Sequence, residues 1–138
     1  MNLIIYFSHE KDILRIVSRY KEDYQADLYE IEVSSSVNFL TKLTNQKVNV
    51  KRCNLNLKKY QNIILISPLW FNKVPGPVIR FLEQIVGNVN NIIYVLYNKN
   101  KEDREIEFDK MDKILNLRRD KSYFVSLDRK EIRVRVYQ

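Results

Sequence analysis

Glycine is nearly missing: the 138-residue chain has two, Gly76 and Gly87, against a usual share of ~7%. Glycine supplies positive φ and close backbone approach, so tight turns here must be made by Asn, Asp or Ser. A single cysteine, Cys53, excludes an internal disulfide and a cysteine-based metal site. No His or Cys pattern surrounds it, so it reads as a half-buried small apolar residue rather than a reactive thiol. The lone histidine, His9, leaves no Ser-His-Asp set in motif context, which argues against a hydrolytic triad. Walker loops and dinucleotide fingerprints are absent, so kinase and NAD-domain readings are set aside. No apolar run approaches the ~18 residues of a membrane span. Residues 2–7 are too short for a signal core, and we expect a cytoplasmic protein with no membrane partner.

What the chain does have is basic charge: 24 Lys and Arg against 17 Asp and Glu, a net +7. Such a surface can draw nucleic acid, anionic membrane or an acidic partner protein. The lysine excess, in a chain also crowded with Asn and Ile, is equally what an AT-rich coding sequence produces without any ligand. Nucleic-acid binding is not expected, because no recognised motif accompanies the charge. Between residues 42 and 59, Lys42, Lys47, Lys51, Arg52, Lys58 and Lys59 occur with no acid among them.

The length suits one domain, and no linker or repeat divides it, so residues 1–138 are read as a single unit. Residues 2–7 are continuously apolar, as a strand buried on both faces must be. Ile13, Leu14, Ile16, Val17, Tyr20 and Tyr24 recur at helical spacing and predict a helix over 11–23, with Ser8 or Asp12 able to cap it. Residues 27–33 alternate as a second strand, and 34–36 then open a short helix carrying Val37, Leu40 and Leu43. The stretch 44–59 is a loop with one extended piece at 48–50. Residues 62–67 make the strongest strand. A helix follows with Pro77 in its first turn, Val78, Phe81, Leu82 and Ile85 inward, and Gly87 at its end. Residues 91–97 form a fourth strand, 105–117 a helix and 122–127 a fifth strand. Residues 131–138 alternate strictly as a sixth, whose Arg133 and Arg135 make an exposed stripe on an edge.

Strands and helices in alternation predict a parallel sheet with helices on both faces, whose ligands bind at the carboxyl ends of the strands. That singles out the turns 8–12, 68–76 and 98–104. Tyr6-Phe7-Ser8 leading into an amphipathic helix, and the block 64–83 (ILISPLWFNKVPGPVIRFLE), resemble the flavodoxin and flavodoxin-like reductase family. The resemblance covers residues 1–127. It implies an α/β, flavodoxin-like three-layer sandwich with a five-stranded parallel sheet of order 2-1-3-4-5. Here an extra C-terminal strand stands in place of the last helix.

It also implies non-covalently bound FMN and a redox or electron-transfer role. By position, Ser8, His9, Lys11 and Asp12 would take the FMN phosphate. Pro68, Leu69, Trp70, Phe71 and Asn72 would take the ring, with Trp70 against the isoalloxazine and Phe71, Asn72 and Lys73 near its N5. Tyr97 and Asn98 would cover the other ring face. The family's phosphate loop carries further hydroxyls and a glycine where this chain has Glu10, Lys11 and Asp12. The bland readings stay open: Trp70 as a cap on the core, His9 as a solvated loop residue, Tyr97 as strand-end packing. On the same fold, 42–59 leads mostly to the opposite end of the sheet and cannot steer a phosphate.

Two functions follow. One is an FMN-binding electron carrier or oxidoreductase with a redox partner protein. The other is a flavodoxin-fold protein without FMN that works as an interaction or regulatory module. The missing last helix leaves one sheet face open, and we expect a homodimer to cover it.

Overall fold

The structure, a computed structural model, describes residues 1–34, 38, 42, 44, 45, 49–99, 103–127 and 132–137. Its elements in chain order are β1 (Asn2–Tyr6), α1 (Lys11–Tyr24), β2 (Asp27–Glu30), a 3-10 turn (Leu57–Lys59), β3 (Asn62–Pro68), α2 (Gly76–Ile85), β4 (Ile92–Tyr97), α3 (Glu105–Leu115), β5 (Lys121–Leu127) and β6 (Ile132–Tyr137). The sheet runs β2-β1-β3-β4-β5-β6. Its first five strands are parallel and β6 returns antiparallel along β5. The expected order and the extra strand are both present.

Burial explains why these runs are strands. All six residues of β4 are buried, and they divide between the faces by parity. Ile92, Tyr94 and Leu96 join β1, β3, α2 and α3 in one core; Ile93, Val95 and Tyr97 meet α1 in the other. α1 covers its face with Ile13, Ile16, Val17 and Tyr20. α2 and α3 cover the opposite face with Val78, Phe81, Leu82, Phe108, Met111 and Leu115. Arg119 then secures the approach to β5: it ion-pairs with Asp109 and Asp112 and donates from Nε to Ser122 Oγ at 3.0 Å.

Beyond α1 no helix among the described residues covers this face of the sheet. Tyr123, Val125 and Leu127 pair with Val136, Val134 and Ile132, placing these side chains together. Val134 and Val136 are exposed. This is the face on which a second copy of the chain was expected. Arg135 lies on the other face and is no free stripe: its guanidinium grips Asp103 and donates to Ser126 Oγ at 3.1 Å.

β2 is shorter than the alternation suggested. Ile31 N still donates to Tyr6 O at 2.8 Å, but there β1 turns away. The chain then pairs antiparallel with residues 49–51, through Ser34 N to Asn49 O and Lys51 N to Glu32 O, both 2.8 Å. Of the expected 48–50 piece, Asn49 and Val50 are described, and Val50 is bridged to Val33. The proposed helix residues Val37, Leu40 and Leu43 lie outside the described residues, as do 100–102 of the loop after β4.

The shortage of glycine is met in part by the residue types expected, Asn and Ser, and in part by Gln and Phe. Among the described non-glycine residues, positive φ falls at Asn45, Asn72 and Asn116, and also at Ser8, Gln25 and Phe71. Gly87, at φ +82, follows the end of α2.

Candidate functional site

Strand order reverses between β1 and β3: α1 leaves β1 toward one face, and α2 leaves β3 toward the other. At the carboxyl ends of these strands, residues 7–10, residues 30–33, Lys42 and Trp70 line a cavity of about 520 Å³. That volume lies within the ~300–1,000 Å³ common for cofactor pockets. A second hollow of the same volume, lined by residues that include Arg52, Lys58, Gln84 and Asn88, lies toward the C-terminal end of α2.

The turn after β3 is built from backbone. Trp70 N donates to Lys73 O at 2.8 Å and Lys73 N returns to Trp70 O at 3.0 Å. Between them Phe71 and Asn72 have φ of +48 and +66. Two consecutive positive φ values inside a reciprocal pair are the mark of a type I′ hairpin turn. An aromatic residue in that region is strained. Three buried or half-buried side chains hold the turn. Val74 N donates to Glu107 Oε1 at 3.0 Å, and Glu107, only 2% exposed, also pairs with Lys110. Asn45 clamps from the other side: its Nδ2 donates to Val74 O at 3.0 Å and its Oδ1 accepts from Gly76 N at 2.7 Å. Asn98, 4% exposed, donates from Nδ2 to Asn72 Oδ1 at 2.8 Å, bracing the β4 turn against the β3 turn.

The turn after β1 is built from charge. Ser8 sits at φ +98, and its Oγ accepts from Glu10 N at 3.1 Å. Glu10 precedes α1 with no side-chain cap. Asp12, in the first helical turn, accepts from Tyr97 Oη at 2.7 Å. Burial first, then that hydrogen bond and the charges of Asp12 and Glu10, hold the Tyr97 hydroxyl protonated well above the usual tyrosine range. His9 Nε2 lies 2.5 Å from Glu30 Oε1, with its ring mostly in solvent. Glu32 pairs with Lys51 at 2.8 Å, and the ammonium holds the carboxyl below its usual range.

These placements redistribute the expected roles. Ser8 and His9 reach the cavity. Lys11 opens α1 and is exposed; Asp12 is committed to Tyr97. Pro68 ends β3 beside Tyr97, and Leu69 is buried with its N–H on Tyr97 O. Trp70 is no free platform. It is 7% exposed, edge-on to Phe7 at 5.5 Å, with the Lys42 ammonium 5.8 Å from its ring centre, and it walls the cavity. The aromatic ring on the surface is Phe71, 51% exposed. Tyr97 is buried on the α1 face, and Asn98 is a brace, so neither is a loose ring cover.

Lys42 corrects the view that the basic stretch stays away from this rim. Glu30 and Glu32 were also missed, although the carboxyl end of β2 had to share the rim with the others. Among the described residues no three His, Cys, Asp or Glu side chains gather as metal ligands do, and no helix is long and apolar enough to cross a membrane.

No family model and no curated protein matches the chain. Solved structures do. A putative flavoprotein from Bacteroides eggerthii DSM 20697 superposes with a TM-score of 0.75 at 14% identity, over 89% of this chain and 86% of its own. One from Bacteroides uniformis ATCC 8492 gives 0.74 at 16%, over 89% and 88%. A flavoprotein from Lactobacillus acidophilus NCFM, solved in complex with FMN, gives 0.70 at 14%, over 83% and 85%. Identity that low speaks for the fold, and the fold is flavodoxin-like.

Proposed function

We propose that this chain is a flavin-binding redox protein, an electron carrier or oxidoreductase that holds FMN without a covalent bond at the rim of β1, β3 and β4. The observation that carries the reading is the 70–73 turn: two left-handed residues, one an exposed Phe, braced through Asn98 and anchored by buried Glu107. Strain kept in place by so many fixed partners is characteristic of functional sites. The FMN complex of a structural neighbour supports the choice of cofactor. A bound flavin would supply one- and two-electron chemistry on its isoalloxazine ring. Phe71 and Asn72 would contact the ring end, Trp70 and Phe7 would form an apolar wall, and Ser8 and His9 would meet the side-chain end. The net charge of +7 suits an acidic redox partner protein.

The fit is uneven. The ring end has an aromatic surface and a rigid turn. At the β1 turn the amide of Glu10 is already bonded to Ser8 Oγ, and Asp12 occupies the first turn of α1. That is the observation on the side of the competing reading, a flavodoxin-fold module that acts by contacts alone.

An absorbance spectrum of the purified protein, with flavin titration of the apo form, separates the two. We expect a yellow preparation or saturable quenching of added flavin, weakened by Phe71→Ala. A colourless protein that leaves flavin fluorescence unchanged removes the redox reading and favours the module.

A further inference from the structure

We infer that this site prefers a flavin whose side chain ends uncharged, riboflavin being the simplest, over one that ends in a phosphate. The inference rests on the flavin reading above and concerns only the end of the site at the turn after β1.

A phosphate dianion needs free donors and an excess of positive charge. The excess of positive charge is not arranged here. The Ser8 hydroxyl accepts from Glu10 N, so that amide already has a partner within the turn. The start of α1, where a helix dipole favours an anion, already carries Asp12. Tyr97 fixes that carboxylate at 2.7 Å and keeps its proton well above neutral pH. The cavity wall adds Glu10, Glu30 and Glu32. The Lys51 ammonium that could offset them is engaged with Glu32, His9 lies against Glu30, and Lys42 sits over the Trp70 ring. A phosphate in the cavity therefore meets carboxylates from the β1 turn and from the end of β2.

The same groups favour a polyol. Ionised carboxylates are acceptors only, with several lone-pair sites each. The hydroxyls of a ribityl chain are donors and bring no charge. A chain end of hydroxyls gains hydrogen bonds where a phosphate meets repulsion, and charge-assisted bonds of this kind are the stronger class.

The test is a fluorescence titration of the apo full-length chain with riboflavin and with FMN, at low and at high salt, repeated with Glu10→Lys. Glu10 is exposed, so the substitution leaves the core intact. We expect riboflavin to bind at least about tenfold more tightly than FMN at low salt, a difference of ~1.4 kcal/mol. The gap should narrow at high salt, where repulsion is screened, and narrow again in Glu10→Lys. Equal affinities, or tighter binding of FMN, overturn the inference and leave the flavin reading standing. If neither flavin binds, the flavin reading fails and the preference falls with it.

Discussion

The turns after β3 and β1 lie side by side on one rim and are held by opposite means. The β3 turn is fixed from within: reciprocal backbone bonds, a buried carboxylate under Val74, an Asn clamp and an Asn brace. The β1 turn has one part-buried tie, Tyr97 to Asp12, and is otherwise held by pairs at its surface, His9 to Glu30, with Lys51 to Glu32 alongside. Buried partners that cannot be replaced by water are costly to lose; exposed ion pairs are worth little. The β3 side should therefore act as a rigid platform. The β1 side can change its charges without endangering the fold.

That contrast breaks most sharply at Trp70, whose ring walls the cavity and packs on Phe7. Trp70→Ala should destabilise by about 3–5 kcal/mol, the range for truncating a buried large aromatic. Urea unfolding measures it, and a loss below 1 kcal/mol, roughly a surface value, would show that the ring is not core. Glu107→Ala comes next. It orphans Val74 N, a buried donor, at about 1–3 kcal/mol, and should weaken flavin binding by loosening the turn. Glu107→Gln keeps an acceptor for Val74 and should recover most of both losses. If it recovers neither, the charge on Lys110 rather than the hydrogen bond matters.

Phe71→Gly should separate stability from function. Relief of about 1–2 kcal/mol of left-handed strain is set against about 0.5–1 kcal/mol of added chain entropy. Folding stability should hold or rise slightly while flavin binding falls. A variant that loses both would mean the Phe71 ring is part of the fold. On the other side of the rim, His9→Ala should stay within ~0.5 kcal/mol of the parent in the same unfolding assay, as exposed sites generally do.

The same contrast explains how much of the molecule is legible in its sequence. The sheet order was legible because buried parallel strands leave unbroken apolar runs, as β3 and β4 do. The β3 turn was half legible. Asn72, in a chain short of glycine, pointed to positive φ, and Pro75 and Pro77 bounded the loop. An inward Trp70 was one of two readings left open, and the outward Phe71 was not legible, because which of two adjacent aromatics faces the core depends on the sign of φ in the turn. The pairing of Asp12 with Tyr97, and the support of Val74 by Glu107, join residues 85 and 33 positions apart. No local pattern records such contacts. Lys42 was missed for the same reason: its stretch has little periodicity, and only the fold brings it to Trp70.

The smallest effect is expected at Lys51, and it tests the surface-held side directly. The hydrogen bond and charge of Lys51 hold the Glu32 carboxyl below its usual range, and Glu32 in turn raises the Lys51 ammonium. The sign follows from linkage. The Glu32 contribution is present above the ordinary carboxylate pKa and fades as pH falls through its lowered value. The Lys51 contribution is complete below the ordinary lysine pKa and fades as pH rises through its raised one. The pair thus acts across neutral pH and is undone in acid. Lys51→Met should move the Glu32 titration, followed by carboxyl NMR, back up toward that of a free glutamate. Stability should hardly change, because Ser34 N and Lys51 N still bond Asn49 O and Glu32 O. An unmoved titration would mean the pair does not form in solution. A loss of stability as large as that of Glu107→Ala would mean the β1 side is anchored as firmly as the β3 side, and the two turns would no longer differ in kind.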